Sequence, residues 1–378
     1  DELLETVGYD IDPEAIVEEL PIGRRQMVSI LQALAADARL LIMDEPTASL
    51  SDTERAMVFD TIRRLRDSHG ASILFISHFL DEVLELCQHV TVLRDGVTVL
   101  NEPRTATDEQ KLIVAIVGRE AALAAVNRSA VTHEAEEPLL EVRNLSSPGR
   151  IENIAFSVKP GEIVGLAGLL GSGRSEIMHA IFGADPVASG KVTLAHKPVG
   201  RTIAAAMAAG IVLVPEDRVR QALFLNESIR WNTTLPNPAP VSVLKLFPVP
   251  ALEERRASEI IAAFSVVAPN ADMLVAELSG GNAQKVALGR ALAEDCSVLL
   301  LDEPTAGVDI GAKADIRHVI AEIAAKGTAV VIAISDFEEL LAICDRVLVV
   351  SEGRIIAERR AAETNEHELM ALASGLAH

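Results

Sequence analysis

Short apolar runs recur along the chain, and polar or glycine-rich residues follow each of them. Runs of this length are typical of strands buried on both faces of a parallel sheet. They lie at Ile163–Ala167, Ile211–Val214, Val298–Leu301, Ala329–Ile334 and Val347–Val350. Amphipathic stretches, which predict surface helices, lie at Arg174–Phe182, Gln284–Ala293 and Lys313–Ala325. The pattern predicts an α/β fold built on a parallel-sheet core.

Part of this pattern occurs twice. Leu40–Ser49 reads LLIMDEPTAS and Val298–Gly307 reads VLLLDEPTAG, an offset of 258 positions that becomes 257 further along. Repetition at a fixed offset indicates two copies of one module. The glycine-rich segment Gly168–Ser175 of the second copy has no counterpart ahead of the first. We therefore expect the first copy to be incomplete and the chain to be truncated at its N-terminus.

The repeat and the composition divide the chain into three parts. Residues 1–120 are predicted to be the second half of a first module, and residues 138–378 a complete second module. Residues 121–137 between them are rich in alanine and then in acidic residues, without a strong period, which indicates a linker. Leu235–Pro250 contains five prolines and cannot be regular helix or sheet throughout.

Composition excludes several classes of protein. A net charge of −21 and an aromatic content of 3% argue against nucleic-acid binding, which needs basic surfaces and stacking platforms. The chain has three cysteines, far apart, and this excludes a disulfide framework or a cysteine-based zinc site. No apolar run approaches the ~20 residues of a membrane span.

The segment GLLGSGRS, Gly168–Ser175, has the spacing of a phosphate-binding loop between a strand and a helix. Its backbone N–H groups and the helix N-terminus suit phosphate oxygens, although a tight structural turn is the alternative. Arg174 stands where lysine is expected, and a planar guanidinium is a poor substitute for a compact point charge. Strong catalysis is not expected there. The candidate nucleotide-binding residues are Gly168, Gly171, Ser172, Gly173, Arg174 and Ser175.

Each DEPT segment ends an apolar strand with an acidic pair. Asp44 and Asp302, the latter with Ser175, are candidate ligands of Mg²⁺, because hard cations prefer oxygen ligands. Glu45 and Glu303 are candidate catalytic bases that polarise an attacking water. The alternative is an acidic turn before proline. Two copies at matching places in a repeat argue against chance.

Two further segments are candidates for phosphate contact. LSGGN predicts a helix capped by Ser279, whose first turn exposes the N–H groups of Gly280, Gly281 and Asn282 to an anion. A merely capped helix is the alternative. The first module has LPIGR at Leu20–Arg24, where Pro21 removes both the hydroxyl and an N–H.

His78 ends a predicted strand 33 residues after Glu45 and is a candidate contact of a γ-phosphate. A lone histidine is more often structural, but its place after the acidic pair favours the functional interpretation. The second module has Ser335 at the paired position, and a serine cannot supply that charge.

Together these motifs resemble the ATP-binding cassette family over nearly the whole chain. Gly168–Ser175 resembles the Walker A loop, and His78 the switch histidine. Leu41–Glu45 and Leu299–Glu303 resemble the Walker B motif with its catalytic glutamate, and Leu278–Asn282 resembles the signature motif. The resemblance implies P-loop NTPase cassettes in tandem, each with a parallel-sheet core and a helical subdomain. It also implies the cofactors ATP and Mg²⁺.

Finer marks resemble one group of that family, the ATPase subunits of bacterial monosaccharide importers of the ribose, galactose and xylose type. These marks are Arg174, VPEDR at Val214–Arg218, LSGGN, and DEPTAGVDIGAK at Asp302–Lys313. Resemblance to this group implies integral-membrane permease subunits as partners, a sugar-binding protein outside the membrane that acts indirectly, and no nucleic acid. It also implies a peripheral location on the cytoplasmic face of the bacterial inner membrane. In such families, each nucleotide lies between one cassette's Walker motifs and the other's signature.

Two departures and two alternatives accompany the resemblance. Glu216 stands in place of a glutamine, and no aromatic residue lies between Val142 and Ile154 to stack on adenine. The alternatives are a two-cassette protein acting on ribosomes or nucleic acid, and a non-hydrolytic nucleotide-binding module. Because no glycine-rich loop with lysine occurs in the sequence, this chain alone is expected to be a poor ATPase.

Overall fold

The computed structural model of the protein describes residues 15–17, 20, 24–25, 28–29, 32, 39–47, 50, 52–77, 79–94, 96–117, 137–217, 221–243, 247–291, 296–308 and 310–375. The chain divides into two compact units, residues 1–119 and residues 120–378. The predicted linker lies outside the described residues except for Glu137. In the described part of the chain, no helix is long and apolar enough to span a bilayer.

The first unit contains a parallel pair of strands and an antiparallel pair. Its described elements are β1 (Leu40–Asp44), α1 (Asp52–His69), β2 (Ser72–Ile76), α2 (Leu80–Leu86), β3 (His89–Arg94), β4 (Val97–Pro103) and α3 (Glu109–Val117). β1 pairs with β2 in parallel, and β3 pairs with β4 antiparallel. The apolar side of α1, including Val58, Ile62 and Leu65, packs in one cluster with Met43 of β1.

The second unit is larger. It begins with β5 (Leu140–Ser147), β6 (Ile151–Val158), β7 (Ile163–Ala167), α4 (Arg174–Phe182), β8 (Ser189–Leu194), β9 (Lys197–Pro198), α5 (Ile203–Ala209) and β10 (Ile211–Val214). It continues with α6 (Ile229–Thr234), β11 (Ser242–Val243), β12 (Phe247–Pro248), α7 (Pro250–Ala263) and α8 (Gly280–Ala291). It ends with β13 (Val298–Asp302), α9 (Ile310–Ala325), β14 (Ala329–Ala333), α10 (Phe337–Ile343), β15 (Arg346–Ser351), β16 (Arg354–Arg360) and α11 (Glu366–Ala373).

A six-stranded sheet forms the centre of the second unit, in the order β10-β13-β14-β7-β15-β16. All neighbours in it are parallel except β15 and β16. Every residue of β7, β13 and β14 is buried, because both faces of these strands are covered. The predicted α/β fold with a parallel-sheet core is therefore confirmed. A separate antiparallel sheet has the order β6-β5-β8-β9.

Alternation along the strands distributes the core over the two faces of the central sheet. Leu299 and Leu301 pack in a cluster with α8, α9 and α10, whereas Val298 and Leu300 pack in a second cluster that includes α4. Successive side chains of a strand point to opposite faces, so one uninterrupted apolar run supplies both clusters. Because these strands run parallel, their carboxyl ends meet at one edge of the sheet, where crevices for ligands commonly lie.

The order of elements after the DEPT segment is the same in both units. Asp44 pairs with Ile76 at the end of β1 and β2, and Asp302 pairs with Ala333 at the end of β13 and β14. A short helix, two antiparallel strands and a last helix then follow in each unit: α2, β3, β4 and α3, and α10, β15, β16 and α11. The burial differs, because Ile42 of β1 is exposed whereas Leu300 of β13 is buried.

Some element ends differ from the sequence prediction. The strand predicted over Ala329–Ile334 ends at Ala333, because the carbonyl of Ile334 accepts a side-chain hydrogen bond at the turn. The helix predicted over Gln284–Ala293 runs from Gly280 to Ala291. The proline-rich stretch contains a short 3₁₀ turn and one two-residue strand pair, so it is irregular as predicted over its described residues.

Candidate functional site

The glycine-rich loop follows β7 and leads directly into α4. Gly173, with φ of 108°, caps the helix in a left-handed conformation that favours glycine. A Cβ at Gly168 would lie 2.5 Å from the carbonyl oxygen of Val350 and would also overlap the hydroxyl of Ser172. The loop is thus packed closely against β15, and its path requires residues without side chains.

Ser172 lies inside this loop with its hydroxyl turned inward. The residue is buried, and its Oγ has no hydrogen-bond partner among the described residues. A buried hydroxyl without a partner costs free energy, so a polar group from outside the chain would stabilise it. Beside it α4 begins, and the first N–H groups of a helix have no hydrogen-bond partner within the helix itself. A phosphate group fits both features, since its oxygens accept hydrogen bonds and its charge suits a helix N-terminus.

Asp302 ends β13 at the same edge of the sheet and is almost fully buried. Burial raises the pKa of its carboxyl to about 6, while the hydrogen bond from Ser175 and the nearby His179 act in the opposite direction. Glu216 and Glu303 raise the pKa further. A buried carboxylate beside a serine hydroxyl and two other acids fits a hard divalent cation.

A divalent cation at Asp302 would depend on further ligands. Over the described residues, no group of three or more His, Cys, Asp or Glu side chains is arranged to hold a metal ion. Mg²⁺ commonly takes one or two protein oxygens and completes its shell with phosphate oxygens and water. Ser175 and Asp302 therefore fit a cation that arrives together with a phosphorylated ligand.

Glu303 follows Asp302 and adopts a left-handed backbone conformation with φ of 47°. Its N–H donates to the carbonyl of Ala333 at 2.9 Å, which fixes the turn to the end of β14. Its Oε2 accepts from the N–H of Ser335 at 3.1 Å, and its Oε1 accepts from the Ser335 hydroxyl. A non-glycine residue in this conformation stores strain, which is common at functional sites.

Arg174 is the third charged group at this edge. Its Nη2 lies 3.2 Å from Oε1 of Glu303 and donates to the hydroxyl of Ser335 at 3.1 Å. Its Nη1 donates to the carbonyl oxygen of Ile334 at 3.0 Å. The side chain is buried, and these contacts direct the guanidinium towards the ends of β13 and β14.

The acidic pair of the first unit has the same backbone and a different environment. Glu45 has φ of 46°, and its N–H donates to the carbonyl of Ile76 at 2.9 Å, as in Glu303. Asp44 and Glu45 are exposed, unlike their counterparts in the second unit. His78 and residues 21–23 lie outside the described residues.

A buried glutamate connects the turn after Glu45 with the residue that precedes His78. The hydroxyls of Thr47 and Ser77 donate to Oε2 of Glu82 at 2.8 and 2.7 Å, and Glu82 is 1% exposed. Sequence reasoning missed this residue. Its signal was the repeat, because Glu82 and Glu339 are paired at the offset of 257.

The LSGGN segment opens α8 with Ser279 immediately before the helix. The carbonyl of Ser279 accepts from the N–H of Ala283 at 2.9 Å, and its hydroxyl accepts from the side-chain nitrogen of Asn282 at 2.9 Å. Ser279 and Gly280 are exposed. The residues thus present a helix N-terminus, and Asn282 stabilises it by accepting from the N–H of Val267 at 2.8 Å.

Comparisons with known proteins agree with these motifs. The family model described as "ABC transporter" matches residues 151–306. The chain is 41% identical over 374 residues to a putative ribose/galactose/methyl galactoside import ATP-binding protein of Rhizobium meliloti, covering 98% of this chain and 74% of the relative. It is 43% identical to a ribose import ATP-binding protein, RbsA 2, of Streptomyces coelicolor, covering 98% of this chain and 71% of the relative.

Solved structures show the same fold. The protein cbiO1 of Clostridium perfringens, part of the ABC transporter complex cbiONQ, superposes with a TM-score of 0.52 at 23% identity, covering 64% of this chain and 96% of that one. A dimeric ATP-binding cassette bound to ADP and Pi superposes with a TM-score of 0.51 at 21% identity, covering 59% and 98%. The fold and the motifs define an ATP-binding cassette. The chain belongs to the ABC transporter family, in the group of the ribose and galactose import ATP-binding proteins.

Proposed function

We propose that this protein binds and hydrolyses ATP and thereby drives the import of a simple sugar through a membrane permease. The observation that carries the proposal lies at the edge of the central sheet, where the glycine-rich loop meets a buried carboxylate. The loop holds a buried serine hydroxyl that has no hydrogen-bond partner among the described residues. The names of the relatives, which are import ATP-binding proteins for ribose and galactose, support the sugar.

The proposed nucleotide contacts in the second unit come from the loop and from α8. Backbone N–H groups of the loop would bind phosphate oxygens, and Ser175 with Asp302 would hold Mg²⁺. Ser279, Gly280, Gly281 and Asn282 are proposed as further phosphate contacts through the start of α8. When bound, ATP supplies the phosphoryl group that is transferred to water.

The proposed catalytic residues are Glu45 and His78 in the first unit and Glu303 in the second, with Asp44 as the first unit's Mg²⁺ ligand. A glutamate at the end of a strand can orient and deprotonate an attacking water. Glu45 and Glu303 share a strained backbone and one backbone hydrogen bond to the neighbouring strand, so both side chains begin from the same kind of turn.

The proposed partners are integral-membrane permease subunits, with a sugar-binding protein acting indirectly, at the cytoplasmic face of a bacterial membrane. The contact surface proposed for the permease lies within Glu216–Thr234. Phe224 is 48% exposed there, and its ring packs edge-on against Trp231 and beneath the guanidinium of Arg290. Exposed aromatic residues on a fixed support are common in protein interfaces.

Sugar uptake and nucleotide binding test the proposed function. Purified protein is expected to bind a fluorescent ATP analogue in the presence of Mg²⁺, and deletion of its gene is expected to abolish uptake of one labelled monosaccharide. Normal uptake of ribose, galactose and xylose in the deletion strain would contradict the proposal. The ribosome or nucleic-acid alternative is not favoured, because the chain is acidic.

Cysteine crosslinking tests the permease surface. In a chain whose three native cysteines are replaced, Phe224→Cys is expected to crosslink to the membrane subunit in the assembled transporter. Ile356→Cys, at an exposed apolar position of β16, is the matched control and is expected to remain uncrosslinked. Equal crosslinking at both positions, or none at Phe224, would contradict the assignment.

A further inference from the structure

Arg174 is the only basic residue of the glycine-rich loop Gly168–Ser175, and it pairs with Glu303 of the same unit. Arg174 occupies the position from which a basic side chain would address phosphates, yet its guanidinium contacts Glu303, Ser335 and the carbonyl of Ile334. Both oxygens of Glu303 are engaged. Oε1 receives Arg174 and the Ser335 hydroxyl, and Oε2 receives the Ser335 N–H.

The chemistry of arginine explains why one side chain contacts Glu303, Ser335 and Ile334 together. A guanidinium carries several N–H donors in one plane, so Arg174 reaches a carbonyl, a hydroxyl and a carboxylate at once. A lysine ammonium is a single point and could not span the same three acceptors in this geometry. The side chains of Arg174 and Glu303 are 8% and 12% exposed, so removing either leaves the other charge poorly hydrated.

A base must offer a free lone pair to the water it deprotonates. Two donors lie on Oε1 of Glu303 and one lies on Oε2, so only one of the roughly four acceptor sites of a carboxylate is left, and its strained turn is fixed to β14 by its own N–H. Releasing it would break its ion pair with the buried Arg174 and two hydrogen bonds from Ser335. Its carboxylate is thus stabilised where it lies, with most of its acceptor capacity directed at the protein.

We propose that Arg174 is the built-in counter-ion of Glu303, and that this pair withholds the carboxylate from a water nucleophile. The inference rests on the proposed function and revises one role in it: Glu303 would not act as the base of the second unit, whose site would hold nucleotide without hydrolysing it. Arg174 is then a positioning residue for Glu303, and the phosphates are left to the backbone N–H groups of the loop.

A double-mutant cycle on the full chain tests the pair. The variants are Arg174→Met, Glu303→Gln and both together, with the exposed Glu338→Gln as the control for loss of one acidic charge. Trp231, the single tryptophan, lies in the second unit, so its fluorescence reports thermal unfolding of that unit. Each single variant is expected to lower the Tm by about 4–10 °C, and the double variant by no more than the larger single loss.

The cycle is repeated with a saturating non-hydrolysable ATP analogue and Mg²⁺, and the affinity of each variant for the analogue is measured. Non-additive Tm losses with and without the analogue would support the proposal. Additive losses without the analogue would overturn it. The proposal would also be overturned if the Tm losses became additive once the analogue is bound and Arg174→Met bound the analogue more than tenfold more weakly. Arg174 would then serve the phosphates.

These results separate the inference from the proposed function. If the wild-type chain bound no nucleotide at all, the proposed function would fail on the affinity measurement. The nucleotide-free cycle would still decide whether Arg174 and Glu303 are paired, since it needs no ligand.

Discussion

Single residues at the carboxyl edge of the second unit's sheet are individually unfavourable for folding. Asp302 is a buried carboxyl whose pKa is raised, Glu303 has a left-handed backbone, and Ser172 has a buried hydroxyl without a described partner. Such groups persist where a ligand compensates for them, and their replacement commonly stabilises a protein at the expense of function.

Replacing Asp302 with asparagine is expected to stabilise the second unit in a pH-dependent way. Burial raises the pKa of Asp302 from 3.8 to about 6, so the folded state is favoured when the carboxyl is protonated and loses that stability as the pH rises through 6. Without Mg²⁺ or nucleotide, Asp302→Asn should therefore gain about 2–3 kcal/mol at pH 8 and almost nothing at pH 4. Urea unfolding followed by Trp231 fluorescence measures this gain in the free energy of unfolding. A gain independent of pH would contradict a raised pKa of Asp302 in the folded state.

Two glycines of the loop provide a matched pair for a second prediction. A Cβ at Gly168 would meet the Val350 carbonyl at 2.5 Å, whereas a Cβ at Gly171 has nothing within 4 Å. Gly168→Ala is expected to cost about 2–4 kcal/mol of stability through overpacking. Gly171→Ala, with φ of 77°, should cost only about 1 kcal/mol of backbone strain. Equal losses in urea unfolding would show that the loop rearranges.

At the scale of elements, each short helix after the acidic turn contains a buried glutamate. Glu82 of α2 receives the hydroxyls of Thr47 and Ser77, whereas Glu339 of α10 pairs with Lys313 of α9 at 3.0 Å. One oxygen of each carboxylate has no partner among the described residues. The same position in the repeat thus fastens different neighbouring segments in the two units.

The α2 contact yields a prediction about the first unit. Glu82→Ala removes the acceptor of two hydroxyls and should cost about 2–4 kcal/mol, which accelerates amide hydrogen exchange in β1 and β2 by about 30- to 1000-fold. Glu82→Gln should cost much less, because its carbonyl oxygen still accepts both hydroxyls. The exposed Glu85→Ala, on the same helix, is the control. Equal exchange in all three variants would contradict a structural role for Glu82.

At the scale of the whole molecule, the two units differ in the residues that bear on hydrolysis. The sequence places His78 after Glu45, but it places Ser335 after Glu303 and Arg174 in the second unit's loop. Arg174 and Ser335 both contact Glu303. The molecule therefore combines two related units of which the second has its candidate base already paired.

Glutamine at each candidate base is expected to have unequal effects in the assembled transporter. Glu45→Gln should abolish sugar uptake, because removing a catalytic base costs ~10²–10⁴ in rate where the chemistry occurs. Glu303→Gln should reduce uptake far less, since that carboxylate is held by Arg174. Steady-state ATP hydrolysis and sugar uptake of both variants measure the difference. Equal losses would mean that both units hydrolyse ATP.

Much of the second unit's fold could be predicted from local sequence. The ranges of β7, β10 and α4 match their apolar runs and amphipathic stretch, because a strand buried on both faces leaves an uninterrupted apolar signature. The ends of α8 and β14 are predicted less accurately from sequence, because hydrogen bonds at those turns involve residues distant in sequence.

The repeat, the strands, and the placement of the glycine-rich loop and acidic pairs at strand ends can all be inferred from the amino-acid sequence, because those features depend on periodicity and spacing. Which of these groups touch depends on how the chain folds in three dimensions. Arg174 meets Glu303 and Ile334 because β7, β13 and β14 end side by side, although the contacts join residues more than a hundred positions apart. The direction of a flexible charged side chain is set by the acceptors that the fold brings near it, and no local pattern records them.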